Sequence, residues 1–376
     1  MAEPFKNLIN ADLVRGAAAQ LQHVDARFDA DAFVARVVPQ LDALELKARA
    51  MCVADALGEA LPDDFADATH LLERALAPVA SPDDGTPDNE KNAGLRGWFL
   101  WSVGEYAARR GVEHPDRALA FLHALTQRFT AEFAIRPLIV AEPQLVYRTL
   151  ARWVHDDSAH VRRLVSEGTR PRLPWGLQLR SLITDPSPSL PLLEALLDDP
   201  SDYVRRSVAN HLNDIAKDHP ALVAEWVERH LPDAPPARRA LLRHACRTRI
   251  KRGDPRILAA WGIGAPYQGT VSLSIEPRDI RLGEHVTLTL QLSADAPEAQ
   301  SLAIDYLVHH VKADGSTSPK VFKGWMVTLP AGASRTLTRK HAVRPITTRR
   351  YYAGTHRVEV QINGVVLAES AFHLTI

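Results

Sequence analysis

The chain has only two cysteines, Cys52 and Cys246, in 376 residues. So few exclude a disulfide scaffold and a cysteine-ligated zinc site, and they point to a reducing cytoplasm. No stretch approaches the roughly 18 uninterrupted apolar residues that a membrane-spanning helix needs. The start, Met1-Ala2-Glu3-Pro4-Phe5-Lys6-Asn7, carries an early acid and no apolar run behind it, so no secretory signal is expected. A Gly-rich phosphate loop, an H-E-x-x-H pair and a nucleophile elbow are also missing. The 16 histidines are scattered without metal-ligand spacing, so neither a metal nor another cofactor is expected. Net charge is absent as well, with 45 Lys+Arg against 45 Asp+Glu. What remains is 46% hydrophobic, enough apolar mass for a large core, over a length that suits two or three domains.

The balanced total hides an asymmetry. Residues 1–95 hold 8 basic and 17 acidic side chains, whereas residues 136–180 hold 8 and 4. Residues 201–256 hold 12 basic and 7 acidic side chains, and residues 265–376 hold 12 and 9. Attraction to phosphate depends on such local clustering, not on the sum over the chain.

Two periods divide the chain. Up to about residue 260 it reads as helix after helix. Leu119, Leu122, Leu125, Phe129 and Phe133 form a helical stripe over 116–134, with similar stripes over 31–46, 143–154, 188–197, 201–217 and 221–230. The polar segment 81–90 reads as a linker. Asp156-Asp157-Ser158-Ala159-His160-Val161-Arg162-Arg163 recurs as Asp199-Pro200-Ser201-Asp202-Tyr203-Val204-Arg205-Arg206, offset by 43 residues. A period of roughly 40–47 built from helix pairs is the mark of a HEAT-like solenoid. Ser158 and Ser201 stand as N-caps, and the paired arginines are expected on the solvent side.

After about residue 268 the period becomes two. Residues 271–275, 286–292, 357–362 and 372–376 alternate strictly, and Gly283, Gly315, Gly332, Gly354 and Asn363-Gly364 mark turns. The expected architecture is an α-helical HEAT-like domain over 1–262 followed by an immunoglobulin-like β-sandwich over 270–376, the boundary falling in 262–269.

Basic residues gather in both halves. Arg239, Arg243, Arg247 and Lys251 are spaced by four, as one stripe on a helix, and 234–253 contains no acid. Such a stripe weakens its helix unless an anion meets it. From Gly315 to Val358 there are nine Lys/Arg and no acid. There, Thr347-Thr348-Arg349-Arg350-Tyr351-Tyr352-Ala353-Gly354 reads either as a groove-entering loop or as a sandwich loop with a tyrosine in the core. Two basic surfaces make nucleic acid the leading partner.

Some acids stand out among these arginines. Glu132 lies beside the apolar stripe of its segment. Glu167 follows Arg163 by four and precedes Arg170 by three, just before Gly168 and a loop in which Pro171 and Pro174 frame Trp175. A carboxylate facing DNA is unfavourable unless arginines hold it or chemistry uses it; the bland reading is a salt-bridging surface glutamate.

The segment Phe129-Thr130-Ala131-Glu132-Phe133-Ala134-Ile135-Arg136-Pro137, the opening Pro4-Phe5-Lys6-Asn7-Leu8-Ile9-Asn10, and the long motif from Asp199 to Pro220 resemble the AlkC family of bacterial DNA alkylation repair glycosylases, relatives of AlkD. The resemblance covers essentially the whole chain. It implies a glycosylase that removes cationic N3-alkylated bases such as 3-methyladenine and 3-methylcytosine from double-stranded DNA, without turning the lesion into a deep pocket. By the same resemblance Glu132 and Glu167 are the catalytic carboxylates, stabilising an oxocarbenium-like sugar and placing a water, with the division between them open. Trp175 would stack near the lesion or against the deoxyribose, and Arg163 and Arg170 would hold phosphates and orient Glu167. Asn210, Asn213 and Asp214 would contact backbone or sugar. Arg206, Arg243 and Arg247, with Arg349 and Arg350 from a DNA-gripping β-sandwich, complete the expected DNA contacts. The expected protein is a metal-free monomer of the bacterial cytoplasm, associated with the nucleoid when bound to DNA. The alternatives are a non-catalytic HEAT-repeat DNA-binding protein and a protein-interaction scaffold.

Overall fold

The structure, a computed structural model, describes residues 4–79, 94–263, 265–346 and 349–376. The expected linker 81–90, residues 1–3 of the opening, Gly264 of the expected boundary, and Thr347 and Thr348 of the arginine loop lie outside these. The chain divides into two compact units, Met1–Asp218 with Pro236–Ala245, and His219–Pro235 with Cys246–Ile376.

Sixteen α-helices run through the described residues. They are α1 (Ala11–Val24), α2 (Ala30–Val37), α3 (Leu46–Ala60), α4 (Phe65–Ala75), α5 (Phe99–Arg110), α6 (Pro115–Thr126), α7 (Ile135–Ala141) and α8 (Pro143–Trp153). There follow α9 (Ala159–Gly168), α10 (Arg180–Thr184), α11 (Leu190–Ala195), α12 (Asp202–Asp218), α13 (Pro220–His230), α14 (Pro236–Ala245), α15 (Arg247–Lys251) and α16 (Pro255–Ala260). The first unit holds α1 to α12 and α14; the second holds α13, α15, α16 and the β-strands.

Local chemistry sets the helix starts. Asn10, Asp29 and Asp64 each accept a hydrogen bond from a backbone N–H in the first turn of α1, α2 and α4. Each long helix then buries one stripe; in α12 it is Val204, Val208, Leu212 and Ile215. In the first unit α3 packs on α5, and α12 packs on both α9 and α14.

The 43-residue repeat is visible in α9 and α12, though not by the expected means. Ser158 stands at the N-cap of α9, but its side chain makes no capping bond. The aspartate two residues earlier ties each turn instead: Asp156 accepts from the Ser158 N–H at 2.8 Å, and Asp199 from the Ser201 N–H at 2.8 Å. Nor do the leading arginines simply face solvent. Arg162 donates to the carbonyls of Asp156 and Asp157 at 2.7 and 2.9 Å. Arg205 donates to those of Asp199 and Pro200 at 2.6 and 2.9 Å. Both clamp the loop that precedes their helix.

Two expected helices break. The stripe over 116–134 is α6 followed by a turn, because Arg128 folds back to donate to the Ala124 carbonyl at 2.8 Å and the Ala77 carbonyl at 2.8 Å. Phe129 then packs on Trp98 and Phe133 on Trp101, with ring centroids 5.4 and 5.2 Å apart. Their spacing reflects burial in a turn. The arginine stripe over 239–251 is likewise divided, since α14 ends at Ala245, α15 begins at Arg247, and the two belong to different units. The buried Cys246 lies between them, so the four-residue spacing does not run along one helix.

The second unit carries two sheets. Strands β1 (Gly269–Glu276), β3 (His285–Ala294) and β6 (Ser334–Ala342) form one, in the order β1-β3-β6. The other runs β2-β8-β7-β4-β5 and adds β2 (Asp279–Arg281), β4 (Gln300–Val311), β5 (Thr317–Leu329), β7 (Gly354–Ile362) and β8 (Val365–Thr375). All pairs are antiparallel except β2 with β8. Val286, Leu288, Leu290 and Leu292 of β3 meet Val358, Val360 and Ile362 of β7 in the core. Between β7 and β8 the turn is Asn363-Gly364, with φ of 48° and 88°, the left-handed pair that a two-residue hairpin requires. Leu258, Ile263 and Ala303 form a smaller cluster that seats α16 against β4. Among the described residues no helix is long and apolar enough to cross a membrane.

Candidate active site

Five charged side chains of the first unit alternate in sign. Arg163 Nη1 lies 3.1 Å from Glu132 Oε2, and its Nη2 lies 3.7 Å from Glu167 Oε1. Arg170 Nη1 donates to Glu167 Oε1 at 2.6 Å, and its Nε donates to Asp214 Oδ2 at 2.8 Å. Lys217, partly exposed, closes the far end at 2.7 Å from Asp214 Oδ1. Glu132, Glu167, Arg170 and Asp214 are all buried. Within the five, three carboxylates face two guanidiniums, so the row carries one excess negative charge before Lys217 is counted.

The fold brings these groups together from four elements. Glu132 sits in the turn between α6 and α7 instead of on a helix, so it escapes helical periodicity. Arg163 and Glu167 share one face of α9 at i,i+4, and Arg170 follows the end of that helix. Asp214 projects from α12. Close approach of α9 to α7 depends on Gly168, where an added Cβ would lie 2.6 Å from Ile135 Cγ2.

Burial raises the Glu132 carboxyl above its ordinary range, and Arg163 opposes that rise. Burial also works against the charge on Arg163, but Glu132 and Glu167 outweigh it and the guanidinium is held more firmly protonated than usual. Thr130 accepts from Arg163 Nη1 at 2.6 Å, and the Tyr203 ring lies 5.1 Å from the Arg163 guanidinium carbon. Arg163 is thus gripped on several sides. Glu167 is held at both oxygens, because Ser207 Oγ donates to Oε2 at 2.6 Å.

Trp175 is 65% exposed and stands in left-handed backbone with φ of 64°. A large exposed ring in that conformation persists only where its surroundings hold it. Lys47 donates to the Trp175 carbonyl at 3.1 Å. Beneath the loop, the fully buried Arg136 donates to the carbonyls of Gly168 at 2.9 Å and Pro171 at 3.5 Å, and also to that of Leu177. Burial, with Arg170 nearby, lowers the Arg136 pKa to about 10, so it stays charged at neutral pH.

The other expected residues are spread more widely. Asn213 is buried, with its Oδ1 lacking a partner, and Asn210 Oδ1 lies 3.1 Å from His244 Nε2. Arg206 is exposed and pairs with Asp202 at 3.3 Å. Arg243 lies in the last turn of α14, while Arg247 opens α15 in the second unit. Also in that unit, Arg350 stacks over Tyr352 at 5.6 Å, and Arg349 N–H donates to the Ile346 carbonyl at 3.4 Å. Tyr351 packs on the sandwich core, as the second reading of that loop has it. Sequence reasoning passed over Thr130, Ser207, Arg136 and Tyr203 as members of the site, although all four stand inside the motifs singled out. Among the described residues no group of three or more His, Cys, Asp or Glu is arranged to hold a metal ion.

Residues 126–248 match the family described as DNA alkylation repair enzyme, and residues 270–376 match the C-terminal Ig-like domain of the uncharacterised protein YhaZ. The chain superposes on the alkylpurine DNA glycosylase AlkC of Pseudomonas fluorescens, bound to DNA containing an abasic site analogue. The match has a TM-score of 0.88 and 34% identity, and covers 100% of both chains. YhaZ of Bacillus subtilis is 35% identical over 332 residues, which are 86% of this chain and 85% of YhaZ.

Proposed function

The chain belongs to the AlkC family of DNA alkylation repair enzymes, and we propose that it is a glycosylase that hydrolyses the N-glycosidic bond of cationic N3-alkylated bases, 3-methyladenine and 3-methylcytosine, in double-stranded DNA. The observation that carries this reading is the Glu132-Arg163-Glu167-Arg170-Asp214 row, in which the buried carboxylates Glu132 and Glu167 both face the half-buried Arg163 and suit a positively charged substrate. An N3-alkylated base is already a cation and a good leaving group, so no strong general acid is needed. The bond to C1′ breaks with its electron pair going to the base, which leaves neutral. The deoxyribose is left as an oxocarbenium ion, and a nearby ionised carboxylate stabilises that charge. A water then bonds to C1′ and gives its proton to a carboxylate.

Geometry favours a division of this work. Glu167, held at both oxygens, is the fixed counter-charge for the sugar. Glu132, lifted by burial, is the group suited to take the proton from water. Trp175 stacks beside the lesion, and the base is released by approach from the groove without deep extrusion. Asn210, Asn213, Arg206, Arg243 and Arg247 serve the DNA backbone. Arg349 and Arg350 extend that grip from the β-sandwich over 270–376, and the helical part over 1–262 carries the chemistry. The protein acts as a monomer on nucleoid DNA in the bacterial cytoplasm.

Incubation with duplexes carrying 3-methyladenine or 3-methylcytosine tests this. The expected products are the free methylated base and an abasic site that breaks only on alkaline treatment. Intact substrate with both lesions, despite tight binding, would overturn the assignment to N3-alkylated bases.

A further inference from the structure

We propose that Ser207 is a positioning residue for this reaction, acting through Glu167; the proposal rests on the glycosylase reading of the site. Ser207 lies on α12 and is 3% exposed. Its Oγ is 2.6 Å from Glu167 Oε2 and 3.0 Å from Ser166 Oγ. A hydroxyl has one proton to donate, and an ionised carboxylate only accepts. Ser207 therefore gives its proton to Glu167, and Ser166 gives its own to Ser207. The chain Ser166 to Ser207 to Glu167 runs wholly through buried groups, where each bond strengthens the next.

Two comparisons within the molecule separate this from ordinary helix packing. Two other buried hydroxyls of the first unit are satisfied within their own helix turn: Thr69 donates to the Phe65 carbonyl at 2.7 Å, and Thr169 to the Val165 carbonyl at 2.7 Å, each four residues back. Ser207 instead crosses to another helix and meets a charge. The 43-residue repeat offers the second comparison. The residue of α9 that corresponds to Ser207 is Leu164, fully buried as an apolar core position. The repeat thus places leucine where α12 has a hydroxyl, and that hydroxyl points at Glu167.

Arg170 holds Oε1 and Ser207 holds Oε2, so the plane of the Glu167 carboxylate is set from two sides. A carboxylate fixed in this way meets a developing sugar cation without having to reorient, which is the condition for electrostatic stabilisation of a transition state. With Ser207 removed, Oε2 loses its fixed donor and the carboxylate gains freedom to turn about its last bond.

The test is single-turnover release of 3-methyladenine from duplex DNA by wild type, Ser207→Ala and Ser207→Thr, alongside affinity for abasic-site DNA and thermal melting. Ser207→Ala is expected to slow base release about tenfold or more, the scale set by one hydrogen bond to a charged group. Affinity should stay within about twofold of wild type, and Ser207→Thr, which keeps the hydroxyl, should restore most of the rate. An unchanged rate in Ser207→Ala would overturn the proposal. So would parallel losses of rate, affinity and melting temperature, because these mark a structural role. Inactive wild type would instead remove the glycosylase reading, and this proposal with it.

Discussion

Arg163 on α9 and Glu132 in the turn between α6 and α7 meet at 3.1 Å, although 31 residues separate them. The carboxylate is buried and raised by that burial, and the guanidinium is the group that keeps it from rising further. Removal of Arg163 then has a definite sign. In Arg163→Ala the Glu132 carboxyl moves further up, so the acidic limb of the rate profile shifts to higher pH. At pH 7 base release should fall by about tenfold or more, the loss expected when a buried carboxylate is left without its charged donor. A rate-against-pH series on wild type and variant checks both statements.

Trp175 separates stability from binding. The residue is 65% exposed, so Trp175→Ala should change the unfolding free energy by no more than about 0.5 kcal/mol. Stacking of a base or sugar on the ring is worth about 1–3 kcal/mol, so affinity for lesion-containing DNA should drop about fivefold or more. Denaturant melts and a fluorescence anisotropy titration on the same preparation measure the two effects.

Arg136 behaves in the opposite way. It is fully buried and feeds the carbonyls of Gly168, Pro171 and Leu177, which form the base of the Trp175 loop. Arg136→Met leaves those acceptors unpaired and should cost about 3 kcal/mol or more of stability. Base release should fall with it, because the Trp175 loop loses its floor. Chemical denaturation followed by tryptophan fluorescence is the measurement.

Acid should weaken both units. Burial drives His211 down to about 3, His310 to about 3 and His341 to about 4. Nearby positive groups, Arg349 among them, add to the shift at the last two. An unfolded histidine takes its proton near 6.5, while these stay neutral in the fold to much lower pH. The unfolded chain therefore binds more protons between about pH 6.5 and 4, and stability falls through that window at up to about 1.4 kcal/mol per pH unit for each histidine. Both ring nitrogens of His310 are buried without partners. His310→Phe should flatten the slope for the second unit, as read by denaturant midpoints at pH 7, 6, 5 and 4.

Much of this architecture was legible in the sequence. Alternation such as Val286-Leu288-Leu290-Leu292 can only bury one face of a strand, and the recurrence of Asp-x-Ser-x-x-Val-Arg-Arg forces two similar helix starts. Glu167 could be picked out because its arginines lie four residues before it on the same helix and three residues after it, just past the helix end. Glu132 stood out beside the apolar stripe, but its place in a turn was hidden, since its neighbours Phe129 and Phe133 imitate a helix while packing on Trp98 and Trp101. Ser207 and Arg136 were not legible as site members, because their roles depend on which face of α12 meets α9 and on which carbonyls a loop leaves bare. The break at Cys246 was hidden as well, since a four-residue arginine spacing looks the same whether one helix carries it or two.

The most direct measurement is single-turnover release of 3-methyladenine from duplex DNA by wild type, Glu132→Gln and Glu167→Gln, with affinity for abasic-site DNA measured in parallel. Both variants keep the size of the side chain and remove its negative charge. The account predicts that wild type releases the base and that each variant slows release by about a hundredfold or more, the scale of a lost catalytic group, while affinity stays within about threefold. Glutamine variants that release the base as fast as wild type would contradict it.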